Sequence, residues 1–352
     1  MKPAIVMCNY YGMCDGDGNA IGHAPKVTNE YSEMLKEKFA LSLAASPCIV
    51  NASNSNNFTE VRTIKYDICA EGNTIIKRIV DKIKLLSNIS QIIRSEDIYF
   101  FYQVDFFFFF YICFFYRRTH KRKIICLVYH QDFTGGSLGE ILQRIYLKAL
   151  KKIDGIIYTQ FEKRVNHPNS VWMPDFLYSD EKYREYQSLP KKKQVVCVGT
   201  MNRYKQLEQL VDIFSKINMP LIIAGRFDDK ERFHKLTQIK TSNVEIYDTI
   251  LPEEEYLEMI ASSQYSFLPY DMDQYVSRTS GVLLESIYLG SIPIAPSQLL
   301  LQNSLPGMGY NEMQELLEEK NWRANFTDLF KKVYEKYDKE IFMHRLIRCI
   351  EG

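Results

Sequence analysis

Short runs of β-branched and aromatic residues alternate with longer stretches in which apolar residues recur every three or four positions. Continuous apolar runs of four to eight residues argue for buried strands, and a period near 3.6 for helices. In the first half the pattern predicts strands at 4–7, 98–102, 124–129, 155–159 and 170–173, and helices at 26–39, 75–86, 137–152 and 160–166. After residue 190 it repeats. Strands are predicted at 195–198, 221–224 and 244–247, with helices at 206–217, 230–238 and 253–262. A strand at 265–268, a polar loop, a helix opening at Ser280-Gly281 and closing at Gly290, and a short strand at 293–295 come next. Strictly alternating strands and helices predict an α/β fold with mostly parallel sheets.

A chain of 352 residues is long enough for two domains, each with its own core. The charged stretch 178–193 lacks strand character and ends in Lys191-Lys192-Lys193. It places the boundary near residue 180, giving domains at 1–178 and 179–324. A C-terminal helix at 325–349 within 325–352 either packs back on the first domain or caps the second. In parallel sheets ligands bind beyond the carboxyl ends of the strands, so the active site is expected in the cleft between the halves.

The net charge of +1 excludes a general nucleic-acid binder. The eight cysteines include no CxxC pair and no Cys/His cluster at metal spacing. Cys8, Cys126 and Cys197 fall inside apolar strand runs, where a thiol acts as a small hydrophobe. Reduced thiols, and no apolar signal region after Met1-Lys2-Pro3, lead us to expect a cytoplasmic protein.

The candidate chemistry concentrates in 265–296. Ser280 stands where an N-cap is wanted, and Gly281 would let a ligand approach the backbone N–H groups of the first helical turn. Such a helix start suits a diphosphate. One turn in, the Glu285 carboxylate can accept two ribose hydroxyls. An ordinary strand–helix–strand unit, with Ser280 a plain cap and Glu285 a solvated acid, is the competing reading. The unit resembles the donor-site signature of the retaining GT-B glycosyltransferases of family 4, also called group 1. That resemblance implies two Rossmann-like domains facing across a cleft, and a nucleotide-diphosphate sugar as donor.

Other segments extend the resemblance. Gly199-Thr200-Met201-Asn202-Arg203-Tyr204-Lys205 ends a strand and opens a helix. It is similar to the family's Gly-x-x-x-x-x-Lys turn, with Lys205 at the phosphate-binding lysine. The family usually has Arg directly after the Gly; here stands Thr200, and Arg203 would substitute. Both cations would balance the leaving diphosphate. In the first half the loop 9–25 carries four glycines, Gly22 among them, then His23. It either wraps phosphate or acceptor, as the resemblance implies, or is a surface loop. His130, at the end of the strand 124–129, would contact the transferred sugar; a satisfied structural histidine is the alternative. The family commonly has two glutamates eight positions apart. Glu285 matches the second, but Ser277 stands at the first, with Asp271 and Asp273 upstream as substitutes. Asp15-Gly16-Asp17 and Asp271-Met272-Asp273 match an Asp-x-Asp motif only in loops, not in a suitable place after a strand, so metal independence is expected, with no cofactor beyond the donor substrate.

The segment from Phe106 through Lys123 is the least ordinary. Five phenylalanines and six further largely aromatic residues are followed by Arg117, Arg118, Lys121, Arg122 and Lys123. The run is about half the roughly 20 residues needed to span a bilayer. Asp105 before it and cations after it fit a helix dipole. Such a helix is either core or a contact with an anionic membrane surface.

The expected activity is transfer of a hexose-like sugar to a glycan or lipid-linked acceptor in surface polysaccharide or glycolipid assembly. A non-catalytic GT-B subunit and a sugar-nucleotide epimerase are the alternatives.

Overall fold

Seven strands in the first part of the chain and six in the second make two sheets, and every pairing within them is parallel. The structure is a computed structural model. It describes residues 2–14, 18–20, 24–69, 75–93, 97–129, 136–159, 166–174, 176–273, 275, 280–318, 322 and 325–352. Two units result: Met1–Met173 with Phe342–Gly352, and Pro174–Ile341.

The first unit opens with β1 (Ala4–Asn9), β2 (Met13–Cys14), α1 (Ala24–Leu35), β3 (Ala40–Ala45), α2 (Pro47–Ala52) and β4 (Glu60–Thr63). It continues through β5 (Ile68–Cys69), α3 (Ile75–Ile92), β6 (Ile98–Val104) and α4 (Phe106–Phe114). It then runs through β7 (Lys123–Val128), α5 (Gly136–Leu150), β8 (Gly155–Tyr158) and β9 (Ser170–Trp172). Its large sheet has the order β4-β3-β1-β6-β7-β8-β9, while β2 and β5 pair separately. Cys8 and Cys126 are fully buried in β1 and β7, where desolvation raises both thiol pKa values. The predicted helix at 160–166 lies almost wholly outside the described residues.

Helix α4 begins at Asp105, whose Oδ1 accepts the N–H groups of Phe107 and Phe108 at 3.0 and 3.3 Å and the Tyr10 hydroxyl at 2.7 Å. Phe108, Phe109 and Ile112 are buried in the core with Phe101, Ile124 and Tyr146. Lys152 Nζ donates to the carbonyls of Ile112, Cys113 and Tyr116 at 2.8–3.0 Å and closes the helix. One side of the aromatic run is therefore core.

The second unit holds α6 (Asp180–Gln187), β10 (Lys192–Val198), α7 (Leu207–Phe214), β11 (Leu221–Gly225), α8 (Lys230–Ile239), β12 (Val244–Asp248) and α9 (Glu253–Ala261). β13 (Ser263–Phe267), α10 (Gly281–Tyr288), β14 (Ile292–Pro296), α11 (Ser297–Asn303), β15 (Met308–Tyr310) and α12 (Thr327–Lys336) follow. Its sheet order is β12-β11-β10-β13-β14-β15. The strand order reverses between β10 and β13, so a crevice is expected beyond their carboxyl ends.

The single terminal helix expected at 325–349 is two, α12 and α13 (Lys339–Glu351). The break has a cause. The Tyr178 backbone accepts from Lys339 N–H and donates to the Tyr337 carbonyl, both at 2.9 Å, and Asp338 Oδ1 caps the new helix at Glu340 and Ile341. Residues from Phe342 onward complete the first unit: Phe342 meets Trp172 edge-on, and Asn169 Nδ2 donates to the Cys349 carbonyl at 2.8 Å.

Candidate functional site

Strand β10 is a continuous apolar run, with Val195 through Val198 buried on both faces. It ends in Gly199 at φ +93°, a left-handed conformation that glycine adopts without strain. A Cβ there would lie 3.6 Å from Val282 Cγ2 and 3.9 Å from Lys205 Nζ. Gly199, Lys205 and the first turn of α10 thus converge at the reversal point of the sheet.

The turn between Gly199 and α7 is held from outside. Arg232 of α8 donates to the carbonyls of Asn202 and Lys205 at 2.8 and 2.6 Å and pairs with Glu208. Partial burial of Glu208 works the other way, but its hydrogen bonds with Arg232 hold its carboxyl below the usual range. Lys205 also bridges to Tyr270 through the backbone. Its side chain is only 4% exposed. Nζ donates to the Val198 carbonyl at 2.7 Å, lies 3.8 Å from Met201 Sδ and stands 5.9 Å from the centre of the Tyr270 ring. These partners are uncharged. A buried ammonium among neutral groups is costly, and an anion is its natural complement.

Arg203 stands apart. Its exposed guanidinium lies over the Tyr204 ring, 5.1 Å from the centroid, and donates to the Tyr204 hydroxyl at 3.2 Å.

Ser280 occupies the N-cap position with extended backbone, but its hydroxyl makes no cap bond. It lies 3.3 Å from the Tyr270 hydroxyl instead, and Tyr270 stacks on Tyr275 with ring centres 3.9 Å apart. The capping role expected of Ser280 therefore belongs to its position alone, because Tyr270 engages the side chain. Gly281 also has a reason other than the expected one. A Cβ there would come within 2.0 Å of Phe176 Cε2, so the missing side chain makes room for an aromatic ring.

Glu285 is 3% exposed rather than solvated. Its Oε2 accepts the Tyr256 hydroxyl of α9 at 2.7 Å. Burial, then the negative charge and hydrogen bond of Glu285, push the Tyr256 pKa well up, so the phenol stays a donor. The solvated-acid reading of Glu285 fails on this geometry.

Sequence reasoning singled out Gly199, Lys205, Ser280, Gly281 and Glu285, and the structure brings them to one end of one sheet. It missed Arg232, Tyr256, Tyr270 and Phe176, whose roles come from packing between elements distant in sequence. Gly22, His23, His130 and Ser277 lie outside the described residues. Asp271 Oδ1 accepts the N–H of Asp273 at 3.1 Å.

No protein-family model and no curated protein matches the chain by sequence. Solved structures do match in three dimensions. AviGT4, a glycosyltransferase involved in avilamycin A biosynthesis, aligns with TM-score 0.62 at 10% identity over 99% of this chain and 97% of its own. The trehalose-6-phosphate protein from E. coli bound with UDP-2-fluoro glucose aligns at 0.65, with 7% identity and 99% of both chains covered. UDP-GlcNAc 2-epimerase from Methanocaldococcus jannaschii aligns at 0.51, with 8% identity over 95% of this chain and 99% of its own. The chain has the GT-B fold of two Rossmann-like domains. At these identities the likeness defines architecture and no more.

Proposed function

We propose that the chain is a glycosyltransferase that moves a sugar from a nucleoside-diphosphate donor to a glycan or lipid-linked acceptor. The observation that carries this reading is the buried Lys205 ammonium among uncharged partners, beside Gly199 and the first turn of α10. An anionic group placed there would meet the ammonium and the positive end of α10 together. Glu285, held by Tyr256, would receive the ribose hydroxyls. The glycosidic C–O bond to phosphate breaks, the acceptor hydroxyl oxygen bonds to the anomeric carbon as its proton passes to the departing diphosphate, and Lys205 stabilises that leaving group.

The finer features of the reading are retention of configuration and metal independence, with cationic charge from Lys205 and Arg203. They include a His130 contact to the sugar, a Gly22 contact to phosphate, and cytoplasmic work in surface polysaccharide or glycolipid assembly. They rest on the resemblance given above.

Thermal-shift screening with UDP-, GDP- and dTDP-sugars tests the reading, because a ligand that binds only the folded state raises apparent stability. A donor that stabilises the wild type and leaves Lys205→Ala unchanged supports it. No stabilisation by any nucleotide sugar sinks it. A sugar-nucleotide epimerase is the competing reading, since the UDP-GlcNAc 2-epimerase shares the architecture. Incubation with donor alone separates the two, since an epimerase changes it without acceptor. Binding without turnover in either assay would mark a non-catalytic subunit.

A further inference from the structure

Helices α3, α4 and α5 pack side by side on the first unit. Lys82 of α3 lies over the Phe107 ring of α4 at 4.2 Å, and Phe109 of α4 meets Tyr146 of α5 edge-on at 4.8 Å. Their inner faces are core. Their outer faces also expose apolar residues. On α3, Ile76, Ile79, Val80 and Ile83 form one stripe at i, i+3, i+4 and i+7, and are 76, 57, 43 and 63% exposed. Along α4 the rings of Phe106, Phe110 and Phe114 contact in series at 6.4 and 4.8 Å, ending in Phe114 and Phe115, which are 58 and 60% exposed. Ile141 of α5 is exposed as well.

Charge is equally uneven. Residues 75–93, 105–123 and 136–152 together carry 13 Lys and Arg against 3 Asp and Glu, in a chain with 44 against 43. Arg117 and Lys121 are exposed just beyond the aromatic end of α4, as are Arg144 and Lys148 on α5. Cations interleaved with exposed aromatic and branched apolar groups suit a lipid headgroup layer. A protein interface would instead exclude charge from its apolar centre. Among the described residues no helix is long and apolar enough to cross a membrane.

We propose that the α3–α4–α5 face is a docking surface for anionic phospholipid bilayers, with Ile76–Ile83 and Phe114-Phe115 entering the interface and the flanking cations meeting the headgroups. The proposal widens the contact expected of the segment from Phe106 through Lys123 to two neighbouring helices, and it holds whether or not the chain transfers a sugar.

Vesicle flotation with the full chain tests it, using phosphatidylcholine alone and phosphatidylcholine mixed with phosphatidylglycerol. The wild type is expected to float with the mixed vesicles at low salt and to be released at high salt. Arg117→Gln with Lys121→Gln lowers the partition constant roughly tenfold or more. Ile79→Ser with Ile83→Ser, and Phe114→Ser with Phe115→Ser, each weaken binding, whereas Ile239→Ser with Leu301→Ser on the second unit leaves it unchanged. Circular dichroism confirms that the variants fold. Absence of wild-type binding at low salt overturns the proposal, and so does wild-type binding by both apolar pairs. A dimer in light scattering that those pairs disperse, without any vesicle binding, overturns it in favour of a contact between copies.

Discussion

Lys205 and Glu285 are both nearly withdrawn from solvent, and each sets stability against ligand binding differently. Lys205 keeps an ammonium among neutral groups. Lys205→Met, similar in volume, is expected to leave the unliganded protein at least as stable as the wild type, while losing most of the thermal shift given by nucleoside diphosphates. In turnover, Lys205→Ala should lower kcat more than it raises donor KM, because the charge matters most as the sugar departs. A variant with wild-type kcat would remove Lys205 from the reaction. Glu285 is satisfied in part by Tyr256. Glu285→Gln is expected to weaken nucleotide binding by about 1.5–3 kcal/mol, and Tyr256→Phe by about 1 kcal/mol, measured by calorimetry. Equal affinity in Glu285→Gln would end its assignment to the ribose. The glutamate was legible in the sequence because one helix turn separates it from Gly281. Tyr256 was not legible, since its value depends on how α9 lies beside α10.

The same contrast holds among the elements. β1, β6, β7 and β10 announce themselves as apolar runs. β3 is Ala-Leu-Ser-Leu-Ala-Ala, half of it alanine, β4 is Glu-Val-Arg-Thr, and neither carries a strong strand signal of its own. They are strands because β1 offers β3 a parallel edge and β3 then offers one to β4. Helix α6 hides in the charged stretch 178–193, with Tyr183 its only buried residue. Helix α10 depends on two contacts that propensity cannot reveal. Gly281→Ala drives a methyl into Phe176, and is expected to cost about 1–3 kcal/mol in denaturant unfolding, with partial rescue by Phe176→Leu. At its far end Lys191 Nζ donates to the carbonyls of Leu289 and, from α9, Ala261. Burial lowers the Lys191 pKa to about 8, below its unfolded value. Between those two values the unfolded chain holds more protons, so stability relative to Lys191→Met should rise as pH climbs above about 8. A flat difference across that window would show that the ammonium is not desolvated.

At the scale of the molecule, two sheets and their Rossmann-like surroundings were legible from alternation alone. The return of the C-terminal helix to the first unit was one of two readings, and alternation could not choose between them, because a chain that leaves a unit and later returns to it carries no local mark of the return. The return is substantial: Phe342, Leu346, Cys349 and Ile350 are all buried, and Lys123 Nζ donates to the Glu351 carbonyl at 2.7 Å. Deleting 342–352 is therefore expected to destabilise the first unit while 174–341 keeps its cooperative unfolding, which hydrogen exchange resolved by segment would show. Uniform protection in the shortened chain would refute that division of labour. The order of synthesis gives this arrangement a further meaning. A ribosome delivers residues 1–173 first, yet their last packing partners are made only after all of 174–341 has been translated. The unit begun earliest is the one finished last, and in the interval its β8–β9 edge waits with Trp172 uncovered. A growing chain in that state is a client for chaperones that shield apolar surface, and the burden falls on the nascent protein rather than on the mature one.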